Sequence, residues 1–253
     1  DGLRRLARLI NAKAVADPLR YDEAVDPELQ RLFHLPSGLE PEQPSGFRFD
    51  LWPVGSAWAA KSRDRLDGWV PRKDQLGDYL QSVASLLNKT VDDTLKNSKL
   101  EPQVAKLFRH LVLATAWQES CWRHYVISDD RKLVPLRSAS GDVGLMQVNE
   151  RVWRGVYDTQ RLRWDIHYNA SAGCEIVDLY LQKYALRKYG PEILKKTDVL
   201  AQLVYAMYNG GPSQFDKFLK RSQTNQLYDS DRLFAKKYEW VKNGDWQQVE
   251  KCF

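Results

Sequence analysis

One glutamate in the sequence combines an apolar setting with polar loops downstream of it. Glu119 ends an apolar helical run and lies between Trp117 and Trp122. Two polar segments that contain glycine follow, at residues 144–149 (GLMQVN) and 208–212 (YNGGP). Burial against apolar surface favours the neutral form of a carboxyl group and so raises its pKa. A protonated glutamate in such a place could serve as the general acid in cleavage of a glycosidic bond.

Taken alone, Glu119 is more simply interpreted as a solvated residue at the end of a helix, because charged side chains are rarely buried. It could also pair with Arg123, which follows it by four residues. The two downstream segments are what favour a catalytic role.

The elements predicted around Glu119 are helices. Pro102 fits the first position of a helix whose apolar residues lead up to Glu119. Helical spacing of apolar residues recurs at residues 172–180, 200–207 and 232–242. Alternation typical of strands is scarce, and no internal repeat is found. The fold class is therefore predicted to be mainly α.

The first part of the chain has a weaker pattern. Residues 1–12 predict a basic amphipathic helix, which more often packs on its own domain than on a membrane surface. A short helix is predicted after Asp26, where Pro27 fits the first helical position. Residues 36–71 predict an irregular segment, and its tryptophans are more simply core residues than the lining of a sugar cleft. These tryptophans are Trp52, Trp58 and Trp69.

A domain boundary is predicted near residue 98. Residues 74–87 predict an amphipathic helix, and the polar stretch at residues 88–99 interrupts its pattern. We therefore expect an N-terminal helical and partly irregular region at residues 1–98, which braces a second domain at residues 99–253.

Composition limits the classes of protein to consider. The chain has 253 residues, of which 43% are hydrophobic and 28% charged, as in ordinary globular proteins. No apolar run is long enough for a transmembrane segment. The net charge of +5 is spread along the chain and no recognition motif accompanies it, so no nucleic-acid partner is expected. An anionic polymer such as a cell wall suits the same sign of charge.

The cysteines and histidines predict neither a disulfide scaffold nor a metal site. Cys121, Cys174 and Cys252 are few and far apart, and buried free thiols are the simplest interpretation. If the protein is exported, one disulfide could form, and Cys121 with Cys174 is then the preferred pair. The histidines show no spacing typical of metal ligands, so we expect neither a metal nor another cofactor. They are His34, His110, His124 and His167.

The motifs around Glu119 resemble the catalytic domain of the soluble lytic transglycosylases over roughly residues 100 to 220. In order along the chain these motifs are Glu119-Ser120, Ser138, Gly144-Leu145-Met146-Gln147 and Met207-Tyr208-Asn209-Gly210-Gly211-Pro212. The resemblance implies a lysozyme-like catalytic domain at residues 99–253. It also implies a bacterial enzyme, periplasmic or otherwise exported to the cell envelope, that cleaves peptidoglycan.

The same resemblance assigns roles to particular residues. It implies that Glu119 is the one catalytic carboxylate, acting first as acid and then as base to form a 1,6-anhydromuramyl product without water. Ser138 would orient Glu119 or the sugar through a hydrogen bond. Gln147 and Asn149 are expected to contact the glycan. Tyr208 and Asn209 are expected to form a polar wall over the muramic residue.

The chain also departs from the family pattern. The segment between Glu119 and Ser138 is long and carries charges at residues 129–132, which we interpret as an excursion into solvent. Where some members have a second glutamate, the best alignment falls around Lys236, so that contact is not carried over.

Two other functions remain open at this stage. A hydrolytic muramidase resembling goose-type lysozymes would need a group that activates water, and Asp142, two residues before Gly144, is the carboxylate that we consider for this role. We interpret Asp142 mainly as a loop cap. An inactive glycan-binding or assembly protein of the cell envelope is the alternative from another class, with cell-envelope proteins as candidate partners.

Overall fold

The computed structural model describes residues 65–98 and 100–253. The helices predicted at residues 1–12 and after Asp26, together with Trp52 and Trp58, lie outside the described residues.

Helices dominate the described part of the chain, which confirms the predicted mainly α class. The α-helices are α1 (Leu76–Asn97), α2 (Pro102–Ser120), α3 (Thr159–Trp164), α4 (Ile166–Leu179), α5 (Thr197–Gly210), α6 (Gln214–Gln223) and α7 (Asp229–Lys242). Helix α4 continues into a π-helical stretch, Tyr180–Leu186, and a final α-helical turn, Arg187–Tyr189. Short 3₁₀ helices lie at Lys73–Gln75, Pro191–Lys196 and Trp246–Cys252. No helix in this part combines the length and apolar character that crossing a bilayer requires.

Two small antiparallel hairpins connect α2 to α3. Strand β1 (Tyr125–Ile127) pairs with β2 (Leu133–Pro135), and β3 (Asp142–Val143) pairs with β4 (Val148–Asn149). The segment 144–147 is thus the connection of the second hairpin. A strand pair of two or three residues is too short for alternation to be visible in the sequence.

Helix α2 begins and ends where the sequence predicts. Pro102 occupies its first turn, and nearly every residue from Leu111 to Trp117 is fully buried. The helix ends because Cys121 and Trp122 both adopt left-handed backbone angles, with φ of 52° and 60°. Such angles are uncommon for residues other than glycine. They turn the chain sharply just after Glu119.

The predicted interruption of α1 at Asn88 is wrong, since the helix continues to Asn97. The side chains of Asn88, Thr90 and Thr94 donate hydrogen bonds to carbonyl groups four residues earlier in the same helix. The buried face also extends through Thr90 and Val91. The polar stretch is therefore mostly the solvated face of a helix.

The predicted boundary at residue 98 falls between two helices that share one core. Helices α1 and α2 pack together, and Arg109 of α2 donates hydrogen bonds to the backbone and side-chain oxygens of Asn88 and to Asp92 of α1. The division of the whole chain into two domains stays a prediction.

The core around α2 is built from aromatic stacks. Trp117 stacks on Trp240 of α7, with ring centroids 5.3 Å apart, and Trp122 stacks on Trp246 at 5.5 Å. Helix α7 packs along α2, and the stack of Trp117 on Trp240 is one of the contacts between them. The C-terminal part of the chain thereby forms one wall beside Glu119.

The preferred disulfide, Cys121 with Cys174, is wrong. Cys121 is bonded to Cys252, and their Cα atoms are 6.0 Å apart. Cys174 is a free thiol, fully buried on the core face of α4. The 3₁₀ helix Trp246–Cys252 returns to the end of α2 because Trp246 packs on Trp122, and this return brings Cys252 to Cys121.

Candidate active site

Glu119 lies in the last turn of α2 and is partly buried. Its Oε1 atom is buried and has no hydrogen-bond partner among the described residues. Burial raises the pKa of Glu119 to about 7. A hydrogen bond from Tyr205 lowers this pKa, the negative charge of Asp142 raises it further, and the positive charge of Lys237 lowers it. A carboxyl group with such a pKa is largely protonated just below neutral pH and can also release its proton.

The loop at residues 144–147 is tied to two helices through its carbonyl oxygens. Ser120, at the end of α2, donates a hydrogen bond to the carbonyl oxygen of Leu145 at 2.6 Å. The hydroxyl of Tyr208 in α5 donates to the carbonyl oxygen of Met146 at 2.6 Å. The Glu-Ser and Tyr-Asn motifs therefore meet at the loop that lies between them in sequence.

Two buried side chains hold the N–H groups of the same loop. His124 Nδ1 accepts a hydrogen bond from the Leu145 backbone at 3.0 Å, and Nε2 lies 3.0 Å from the Arg163 carbonyl oxygen. Burial lowers the pKa of His124 to about 4, so the ring is neutral and Nε2 carries the proton that it donates. The side-chain oxygen of Asn169 accepts from the Met146 backbone at 2.8 Å. The loop is thus fixed before any substrate arrives.

Gly144 is required by this close packing. Its φ is 76°, and a Cβ atom at this position would overlap both the His124 ring and the Asn169 amide. A side chain at residue 144 would therefore push apart the groups that hold the loop.

The structure places Ser138 against Asp142. Ser138 and Ser140 donate hydrogen bonds to Asp142 Oδ2, at 2.7 and 2.5 Å. Asn149 donates to the other oxygen, Oδ1, at 2.6 Å. The described residues show no hydrogen bond between Ser138 and Glu119, so the predicted orienting role of Ser138 stays a prediction.

Four predicted site residues line one pocket beside this hairpin. Gln147, Asn149, Tyr208 and Asn209 surround it together with Asp142. The side-chain nitrogen of Gln147 donates to the Gly144 carbonyl oxygen at 2.8 Å, and that of Asn149 is bound to Asp142. Asn209 is exposed. Glu119 is not among the lining residues; it interacts electrostatically with Asp142 at the pocket edge.

Two residues near Glu119 were not predicted. Tyr205 precedes Tyr208 by three residues, so both lie on one face of α5, and this spacing was the available signal. On α7 it is Lys237 that interacts with Glu119, whereas the Nζ atom of Lys236 lies over the Trp240 ring, 4.8 Å from its centroid. Adjacent residues on a helix point in different directions, so an alignment uncertain by one position could not choose between these lysines.

The charged residues between Glu119 and Ser138 form an exposed turn. Residues 129–132 connect β1 to β2, and the backbone of Ser128 binds that of Lys132 and Arg131 across the turn. This placement agrees with the predicted excursion into solvent.

Comparison with known proteins gives one match. The family model described as Transglycosylase SLT domain matches residues 101–229, just over half of the chain. This range contains all six predicted site residues and ends at the first residue of α7, so Lys237 and Cys252 lie beyond it. No curated protein and no solved structure matches the chain.

Proposed function

Because the chain belongs to the transglycosylase SLT domain family, which acts on peptidoglycan, we propose that it is a lytic transglycosylase with Glu119 as acid and base. The proposed cleavage is of the β-1,4 bond between N-acetylmuramic acid and N-acetylglucosamine. The observation that carries this proposal is the carboxyl group of Glu119, whose pKa is raised to about 7 mainly by burial, beside the fixed 144–147 loop.

In the proposed first step, Glu119 donates its proton to the oxygen that links the two sugars. The bond from C1 of the muramic residue to that oxygen then breaks, and the oxygen leaves as a hydroxyl group. The apolar end of α2 supports this step, because it keeps the carboxyl group protonated near neutral pH.

In the second step, the Glu119 carboxylate removes the proton from the C6 hydroxyl of the muramic residue. The C6 oxygen forms a bond to C1, which closes the 1,6-anhydro ring and returns Glu119 to its acid form. A raised pKa suits both steps, because a group that titrates near neutral pH can donate and accept a proton. We propose that Ser138, Gln147, Asn149, Tyr208 and Asn209 contact and orient the glycan during both steps.

The surroundings of Asp142 support an intramolecular attack over hydrolysis. Its two oxygens accept hydrogen bonds from Ser138, Ser140 and Asn149. Both oxygens of Asp142 are thus engaged by side chains of its own loop rather than directed at a water molecule, and these hydrogen bonds agree with the predicted role in the loop.

The mass of the products tests the proposed reaction. Digestion of purified peptidoglycan should give muropeptides with anhydromuramyl ends, detected by mass spectrometry. Fragments heavier by one water molecule would instead identify a hydrolytic muramidase. Glycan binding without any fragments would favour the inactive binding protein.

Replacement of Glu119 tests the assigned acid. Glu119→Gln preserves the shape of the side chain and removes the proton donor, so cleavage should fall by at least ~100-fold while glycan binding persists. Glu101→Gln, at the exposed start of α2, is the matched control and should leave cleavage unchanged. Wild-type turnover by Glu119→Gln would rule out the proposed mechanism.

We also propose that the protein acts in an exported, oxidising compartment such as the periplasm. The Cys121–Cys252 disulfide supports this location, because disulfides persist in such compartments and are rare in a reducing cytosol. Peptidoglycan, the proposed substrate, lies there too.

A further inference from the structure

Lys237 is positioned by two aromatic contacts that flank the candidate acid. On α7, Phe234 stacks on Tyr205 with ring centroids 4.1 Å apart, and Trp240 stacks on Trp117 at 5.3 Å. Lys237 lies three residues from each of these rings, on the same side of α7. The two helices that the rings contact are those that carry Glu119 and Tyr205, a residue that acts on the pKa of Glu119.

Lys237 interacts electrostatically with Glu119 but is not paired with a carboxylate among the described residues. It is half-buried, and it forms neither an ion pair nor a hydrogen bond there. By contrast Lys242, five residues later in the same helix, binds Asp198 and Glu239. Burial lowers the pKa of Lys237, and the charge of Glu119 raises it. A half-buried ammonium group without a partner is unusual, because burial of a charge is unfavourable unless the charge is paired.

The positive charge of Lys237 is uncompensated at the start of the proposed reaction. Glu119 is then neutral, because it must carry the proton that it donates. The oxygens of Asp142 are already bound by Ser138, Ser140 and Asn149. A negatively charged group of the substrate would therefore find an available cation beside the bond to be cleaved.

We propose that Lys237 binds a carboxylate of the glycan strand next to the bond that Glu119 cleaves. This inference rests on the proposed function and makes Lys237 a specificity residue. The carboxylate has two sources in peptidoglycan. One is the lactyl group of muramic acid, which is a free carboxylate only on strands without stem peptides. The other is a carboxylate of the stem peptide itself.

Binding to the inactive Glu119→Gln variant tests this inference without turnover. Calorimetry compares the Glu119→Gln variant with the double variant that also carries Lys237→Met. The ligands are a neutral N-acetylglucosamine oligosaccharide, peptide-free glycan strands and peptide-bearing strands. Loss of a charged hydrogen bond should weaken binding of the carboxylate ligand about tenfold and reduce its salt dependence. The neutral ligand should bind equally well to both variants, which also shows that the fold persists. A loss confined to peptide-free strands identifies the lactyl carboxylate, and one confined to peptide-bearing strands identifies the stem peptide.

Two further variants serve as controls in the same background. Lys236→Met removes the adjacent charge, which lies over Trp240, and should leave all affinities unchanged. Lys237→Arg keeps the charge and should retain most of the binding to the carboxylate ligand. Equal affinities with and without Lys237→Met, or an equal loss for the neutral oligosaccharide, would overturn the role of Lys237 alone. Absence of binding to all three ligands would contradict this role and the proposed function together.

Discussion

At the scale of single residues, the pKa of Glu119 is set by groups from four different elements. Burial at the end of α2 raises it, as does the charge of Asp142 in β3. The hydrogen bond from Tyr205 in α5 and the charge of Lys237 in α7 both lower it. The pKa of about 7 therefore reflects burial that is only partly offset. A small change in either opposing group should move the pH range of the proposed reaction.

The pH dependence of cleavage follows from this balance. In the proposed mechanism the free enzyme needs protonated Glu119, so kcat/KM should fall as the pH rises through about 7. Tyr205→Phe removes a hydrogen bond that favours the charged form, so the pKa of Glu119 should rise and the alkaline limb should move to higher pH. The measurement is a pH profile of kcat/KM on soluble glycan strands.

Tyr238→Phe is the matched control for Tyr205→Phe. Both tyrosines belong to the aromatic cluster around Phe234, but the hydroxyl of Tyr238 interacts with Asp198 and Glu239. The control should keep the wild-type alkaline limb. A limb that moves to lower pH in Tyr205→Phe would contradict the assigned direction.

The sequence predicted the apolar setting of Glu119 better than the residues that adjust its pKa. Glu119 was recognisable because Trp117 and Trp122 are close in sequence and imply an apolar setting. Tyr205 and Lys237 act on Glu119 only because α5 and α7 pack against α2. Their roles depend on tertiary contacts that no local pattern encodes.

At the scale of elements, helices α2 and α5 both form hydrogen bonds to the loop at residues 144–147 and hold it in place. Ser120 and Tyr208 each donate a hydrogen bond to this loop, and His124 and Asn169 accept from it. Loop backbone that is buried must have its polar groups paired. These side chains therefore keep the loop in one position relative to Glu119.

Ser120→Ala should weaken the attachment of the 144–147 loop to α2. The variant removes the 2.6 Å hydrogen bond to the buried Leu145 carbonyl, and an unpaired buried acceptor costs about 1–3 kcal/mol. We expect a matching decrease in the free energy of unfolding, measured in urea, and a lower kcat from the displaced loop. Ser82→Ala, which removes a hydrogen bond to Asp78 on the exposed face of α1, should change neither quantity appreciably. Equal effects of the two variants would contradict the role of Ser120 in holding this loop.

The sequence predicted the existence of the elements around the site better than their limits. The apolar face of α2 and its Pro102 fixed both ends of that helix closely. In α1 the polar stretch from Asn88 was mistaken for a break, because side-chain bonds to the preceding turn and the contact with Arg109 are not visible in periodicity. The hairpin strands are too short to show a pattern at all.

At the scale of the whole molecule, a disulfide links the 3₁₀ helix Trp246–Cys252 to Cys121, the residue that follows α2. The Cys121–Cys252 disulfide spans 131 residues, and Trp246 packs on Trp122 beside it. The sequence did not identify this pair, because the distance between Cys121 and Cys252 along the chain says nothing about their distance in space. The wall formed by α7 is thereby fixed to the helix that carries Glu119.

Cys252→Ser should destabilise the protein. A native disulfide that closes a long loop contributes about 2–5 kcal/mol to stability, so the free energy of unfolding should decrease by a similar amount. Chemical denaturation of both proteins with and without a reductant provides the measurement. The reductant should bring the wild type to the stability of the variant and leave the variant unchanged. A variant as stable as the oxidised wild type would contradict a structural role for the bond.

The same disulfide makes most of the matched domain a covalently closed ring. Every motif after Glu119-Ser120, from Ser138 to Pro212, lies inside the segment that Cys121 and Cys252 enclose. A single proteolytic cut in this segment, for example in the exposed turn at residues 129–132, would leave both fragments attached to each other. A nicked molecule would thus keep Glu119, the loop at residues 144–147 and helix α7 in one covalently linked molecule, and the cut would become visible on a gel only after reduction.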